Sequence, residues 1–179
     1  NDNLLAGDEA TEYLYQLGHR KIAYLGVDNS LVFSADRRNG YQLALTRHGI
    51  VPKPEYCVEL PSITAGEDTP VHALLRSASR PTAIVVSDDI LALTLERICT
   101  ETGLSIPADL SILSFNNSLF ARLTSPQLTS IDINSCQLGI EAAAQMISHI
   151  ENPELPATKI LVPHQLIERD SCARPVSHS

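Results

Sequence analysis

The sequence has 179 residues, 44% of them hydrophobic, enough for one large domain or two small lobes around an apolar core. Its 13 lysines and arginines stand against 21 acidic residues, a formal charge of -8 with no basic stripe, which excludes a phosphate-tracking surface on this chain alone. No apolar run approaches the roughly 20 residues of a membrane-spanning helix, and "NDNLLAGDEA" lacks the basic and apolar regions of a signal peptide. The expected location is therefore cytoplasmic, with the reservation that a chain starting at "NDN" can be a fragment.

In chain order, "LLAGDEATEYLYQLG" spaces Ala6, Ala10, Tyr13, Leu14 and Leu17 at helical intervals and stops at Gly18, a favoured C-cap residue. "KIAYLGV" reads as a short buried strand. The alternation repeats: helix "SADRRNGYQLALTRHG" to Gly49, strand "YCVELP", helix from about Gly66 to Ser77, strand "TAIVVS", helix "DDILALTLERICTETG" to Gly103, strand "LSILSFN". This order predicts an α/β fold, a doubly wound parallel sheet with helices on both faces. "SPQLTSIDIN" follows as a fifth strand and "SCQLGIEAAAQMISHIEN" as an amphipathic helix. "TKILVPHQLIER" is a last extended stretch that Pro163 assigns to an edge or to a crossing between lobes.

Cys57, Cys99, Cys136 and Cys172 are too scattered for a zinc site or a disulfide scaffold, so small-residue packing with reduced thiols is expected. The six histidines show no metal-binding spacing, and no metal or cofactor is expected. There is no glycine-rich phosphate loop, no G-x-S-x-G elbow and no ordered acid–base pair, so an enzyme is not expected. A magnesium-dependent receiver domain would place its acidic pair after the first strand, whereas Asp88 and Asp89 follow the third.

Ligands of such sheets bind outside the carboxyl ends of the strands, here "VDNSLVF", "PSIT", "SDD" and "NNS". Adjacent carboxylates at a helix start diverge by about 100° and do not readily share one ion or proton. One of the pair caps the helix, which leaves the other to face the cleft. Arg37 leans toward the buried side of its helix, while Arg38 reads as surface charge. Arg37, Asp88 and Asn116 come from three separate strand-end segments and offer planar donors and acceptors that match the adjacent hydroxyls of a sugar. Phe33, in the loop beside them, is placed to stack on a pyranose face.

"EATEYLYQLGHRKIAYLG", "DRRNGYQLAL", "PTAIVVSDDILAL", "GLSIPADLSILSFNNS" and "SPQLTSIDIN" resemble, in order and through almost the whole chain, the regulatory domain of the lac-repressor-like transcription regulators. "SDD", "SFNNS" and "VPHQLIERDSC" look most like the maltose-operon repressor branch. The resemblance implies a periplasmic-binding-protein-like core of two lobes that closes on an effector, an N-terminal helix-turn-helix outside this chain that meets operator DNA, and a homodimer. It places 1–133 in the C-terminal lobe, 134–161 in the other, mostly absent lobe, and 162–179 back in the first. It carries effector contact onto Arg37, Asp88, Asn116 and Phe33, which leaves Asp89 as the residue expected to cap its helix. Relatives usually hold asparagine where Asp88 stands and aspartate where Asn116 stands, so charge and amide are exchanged between two loops. The implied function is sensing of maltose or a related sugar; a solute-binding protein of a sugar transporter, or a protein corepressor acting beside or in place of the sugar, stay open. An amphipathic helix at 135–152 without its own sheet exposes an apolar stripe.

Overall fold

The computed structural model describes residues 1–27, 31–60 and 69–176. Its strands are β1 (Ile22–Val27), β2 (Cys57–Leu60), β3 (Ala83–Val86), β4 (Ser111–Phe115), β5 (Thr129–Asp132) and β6 (Gln165–Ile167). They form one sheet in the order β2-β1-β3-β4-β5-β6, parallel from β1 to β5, with β6 antiparallel on the edge. The helices are α1 (Asn3–Gln16), α2 (Val32–Arg47), α3 (Thr69–Arg76), α4 (Asp89–Thr102), α5 (Leu119–Leu123) and α6 (Ser135–Glu151), with a 3-10 turn at Pro54–Tyr56.

The apolar runs of the central strands explain the two-sided cover. Side chains alternate along a strand, so a strand apolar at every position must bury both faces. Ile22 and Tyr24 of β1 enter one core with Ala6, Ala10 and Leu14 of α1 and Tyr41 and Leu45 of α2. Ala23, Leu25 and Val27 enter the other with Val71 and Leu74 of α3 and Leu91, Leu95 and Ile98 of α4. The buried tyrosines keep their hydroxyls paired: Tyr24 donates to the Ser34 carbonyl and Tyr41 to the Ile22 carbonyl, each at 2.9 Å. The fold is the expected doubly wound α/β sheet.

Helices α1 and α2 cross with their backbones nearly touching. A Cβ on Gly40 would lie 2.1 Å from the Leu4 carbonyl oxygen, and one on Gly7 would lie 2.2 Å from the Arg37 carbonyl oxygen. Helix α4 ends at Gly103, whose φ of 73° supplies the left-handed C-cap.

Several boundaries differ from the sequence reading. Helix α2 starts at Val32, because Leu31 is its extended N-cap and Ser34 turns its hydroxyl onto the Val27 carbonyl at 2.8 Å. Phe33 therefore lies in the first turn of α2, not in a loop. Helix α3 is described from Thr69, and "PSIT" and Gly66 lie outside the described residues. The five residues of α5 are too few for a helical period to register. Residues 159–164 are not in a strand, and only Gln165–Ile167 after Pro163 pairs, on the edge.

No residue of α6 is buried, and Ile140, Met146, Ile147 and Ile150 lie exposed along it. Among the described residues no helix is long and apolar enough to cross a membrane. All four cysteines are free; Cys136 on α6 is exposed and Cys99 is in the core.

On α4, burial pushes the partly buried Glu96 carboxyl up to about 7, and its Oε1 lacks a hydrogen-bond partner. A folded-state value above the ordinary 4.5 means this group opposes folding once ionised. The stability present at pH 4.5 and below is lost as pH rises through 7. Urea unfolding is expected to show this decline between pH 5 and pH 8, with a smaller decline in Glu96→Gln.

Candidate functional site

Strand β1 has β2 on one side and β3 on the other, so the winding direction reverses there, the point at which sheets of this kind bind ligands outside the carboxyl ends of their strands. Asp28 to Ser30, directly after β1, and Pro61 to Asp68, after β2, lie outside the described residues. Among the described residues, the ends of β3 and β4 and the start of α2 lie at this edge of the sheet.

Arg37, in the second turn of α2, is only 3% exposed, so few of its atoms remain for a ligand. Its Nε donates to Asn3 Oδ1 at 3.0 Å, its Nη1 to the Ser87 carbonyl at 2.6 Å and its Nη2 to Asn116 Oδ1 at 3.4 Å. The guanidinium carbon lies 4.4 Å from the centre of the Phe115 ring and 5.2 Å from that of Phe33. Burial lowers the Arg37 pKa to about 10, against the opposing influence of Tyr24, Asp88 and Asp89. A guanidinium only donates, so Asn116 turns its oxygen to Arg37 and keeps its Nδ2 donors for another group. The longest contact, to Asn116, is the weakest of the three.

The capping role falls on Asp88, not on Asp89 as expected. Asp88, extended at φ -160° and ψ 165°, is the N-cap of α4, and its Oδ1 accepts from the Leu91 N–H at 2.8 Å. Its Oδ2 lies 3.5 Å from Ser87 Oγ at the strand end. Asp89 does not cap. At 1% exposure its Oδ1 accepts from Ser114 Oγ at 2.5 Å and Ser130 Oγ at 2.9 Å, and its Oδ2 from the Ser118 N–H at 2.6 Å. The physical reason is the geometry of a helix start. The last extended residue looks back over the free amides, and the next side chain is rotated about 100° away, here across the ends of β4 and β5.

Asp89 thereby shapes the loop that carries Asn116. Asn116 and Asn117 both have positive φ, 95° and 46°, a conformation asparagine tolerates better than most residues. The Ser118 N–H is held by Asp89, and the Asn117 N–H by Ser130 Oγ at 3.1 Å. The Asn117 carboxamide donates to Asp132 Oδ2 at 2.8 Å and accepts from Arg169 Nη2 at 2.5 Å.

The structure thus brings Arg37, Phe33 and Asn116 together, with Asp88 adjoining them through Ser87. Sequence reasoning missed Asn3, Ser87, Phe115, Arg169 and the buried role of Asp89. One signal was present: Ser114 and Ser130 are hydroxyls inside strands buried on both faces, and a buried hydroxyl requires a partner. Arg38 pairs with Glu59 on the edge strand at 2.8 Å. Among the described residues no three His, Cys, Asp or Glu side chains gather as metal ligands would.

A family profile described as Periplasmic binding protein-like domain matches residues 11–172. The chain is 30% identical over 177 residues to the HTH-type transcriptional repressor ExuR of Bacillus subtilis (strain 168), covering 96% of this chain and 53% of that protein. It is 32% identical over 152 residues to the ribose operon repressor of Haemophilus influenzae, covering 85% and 46%. The chain thus spans about half the length of the curated relatives it matches. Among solved structures, a transcriptional regulator LacI from Bacillus cereus subsp. cytotoxis superimposes with a TM-score of 0.91 at 38% identity, covering 97% of this chain and 62% of that one. A LacI family regulator from Enterococcus faecium with bound ribose gives 0.85 at 30%, covering 97% and 64%.

Proposed function

Because the chain belongs to the family of periplasmic-binding-protein-like domains, we propose that it is the effector-sensing part of a DNA-binding transcriptional repressor. The start of α2 with Phe33 and Arg37 and the strand ends followed by Asp88 and Asn116 hold a carbohydrate. The observation that carries this reading is the convergence of Arg37, Asn116 and Phe33 at the carboxyl-end edge of the sheet, with Asp88 next to them. Repressors among the relatives favour a regulator over the solute-binding protein of a transporter, and the ribose complex of the Enterococcus regulator supports a sugar as the ligand class. The resemblance of "SDD" and "VPHQLIERDSC" to the maltose-operon branch supports maltose or a related sugar as the first to test.

In this reading residues 1–133 and 162–179 form one lobe and 134–161 belongs to a second. The bare apolar stripe of α6 supports that division, since an amphipathic helix needs a sheet or another helix to cover it. The protein meets its operator through a separate DNA-binding segment in the cytoplasm and works as a homodimer. The exposed Leu119, Phe120 and Leu123 of α5 and Ile90 of α4 suit self-association. Sugar binding closes the two lobes and changes the spacing of the attached DNA-binding heads, without a catalytic step or a cofactor.

Calorimetric titration of the complete protein with maltose, maltotriose, cellobiose and ribose tests the reading. Saturable heat with at least one of them is expected, and no heat with any sugar counts against it. Arg37→Ala is expected to weaken the binding by roughly 10- to 100-fold, the scale of a lost charged hydrogen bond. Unchanged affinity would remove Arg37 from the site.

A further inference from the structure

Three stretches of chain meet beside the start of α1: Asn1 and Asp2, the exit from β5 at Ile133, and the return at Val162 before β6. The Asn1 carboxamide joins all three. Its Nδ2 donates to the Ile133 carbonyl at 2.7 Å and to the Val162 carbonyl at 3.0 Å, partners 132 and 161 residues away along the chain. One planar neutral group with two donors thus satisfies two carbonyls of two other segments.

Two of the joined stretches are bonded to the candidate site. Asn3, two residues beyond Asn1, accepts from Arg37 Nε at 3.0 Å. At the β5 exit, Asp132 accepts from Asn117 Nδ2 at 2.8 Å and from the Asn134 N–H at 2.7 Å, and Asn117 adjoins Asn116. The return stretch is tied to α1 a second time, by His164 Nε2 and Glu9 Oε2 at 2.9 Å.

We propose that Asn1 is the positioning residue that locks these three stretches to one another. The inference rests on the two-lobe reading above, in which each stretch is a crossing between lobes. A displacement of Arg37 or Asn116 by an effector then reaches the crossings as one movement, instead of three independent ones.

The test needs no sugar, so its failure is distinct from failure of the sugar assay. Spin labels on ketone-bearing residues at the exposed positions Leu43 of α2 and Glu151 of α6 leave the native cysteines untouched. Electron–electron distance measurement on the complete protein is expected to give one narrow distribution. Asn1→Ala and Asn1→Asp, which remove both donors, are expected to broaden it or add a second distance. Asp2→Ala serves as the control, because Asp2 caps α1 through the Leu5 N–H at 3.0 Å and its carboxylate cannot donate to the Ile133 and Val162 carbonyls that Asn1 joins. It is expected to lower stability and keep the narrow distribution. An unchanged distribution in both Asn1 variants, or equal broadening in Asp2→Ala, overturns the proposal.

Discussion

Replacing Asp89 with alanine is expected to destabilise the domain by about 3–4 kcal/mol, because it leaves two hydroxyls and one backbone amide without their shared acceptor. All three donors lie where β4, β5 and the start of α5 meet, and Ser114 and Ser130 have no exposure to water that could replace the carboxylate. Asp88→Ala removes one capping bond and is expected to cost only about 1 kcal/mol. Urea unfolding of the two variants side by side separates the roles. Equal losses, or a larger loss in Asp88→Ala, would mean that Asp89 is not the anchor the geometry describes. Asp89→Ala should also release Asn116 and Asn117 from their left-handed conformation, so that sugar affinity falls in whatever fraction remains folded.

Gly40→Ala is expected to have a second large effect, a loss of about 2–3 kcal/mol, typical of overpacking where the neighbours cannot yield. The atoms a new Cβ would meet are backbone, the Leu4 carbonyl oxygen and the Asp8 nitrogen at 2.6 Å, not the movable end of a side chain. Relief requires α1 and α2 to separate. Arg37 rides on α2 while its partner Asn3 rides on α1, so separation also stretches the bond that aims the guanidinium. Calorimetry on Gly40→Ala should therefore show weakened sugar binding alongside reduced stability. Gly139→Ala, on α6 with nothing near the added methyl, is expected to be neutral or slightly stabilising, as alanine usually is in a helix. A Gly40→Ala variant as stable as that control would contradict the close crossing.

The architecture was largely legible because its determinants are local. "KIAYLGV" and "TAIVVS" are apolar on both faces, which only a covered parallel strand satisfies, and Gly103 marks the end of α4 by its left-handed backbone. The helix over 119–123 was not legible, since five residues do not establish a period. At the candidate site, position just after the strand ends singled out Arg37, Asp88 and Asn116 as candidates, and the structure brings Arg37 and Asn116 within 3.4 Å. The division of labour between Asp88 and Asp89 was not legible, because it depends on Ser114 and Ser130, 25 and 41 residues downstream of Asp89. Spacing along the chain says that neighbouring side chains diverge, but only the packed sheet says which one meets the serines. Asn3 was hidden for the same reason: its partner Arg37 lies 34 residues away on another helix.

A crystal structure of the complete protein with the sugar that gives calorimetric heat shows where on the lobe that sugar sits. Ligand oxygens are expected within hydrogen-bonding distance of Arg37, Asp88 and Asn116, with an apolar ring face toward Phe33 and the carboxylate of Asp89 still on Ser114, Ser130 and Ser118. A sugar seated elsewhere on the lobe, touching none of the three, would contradict this placement.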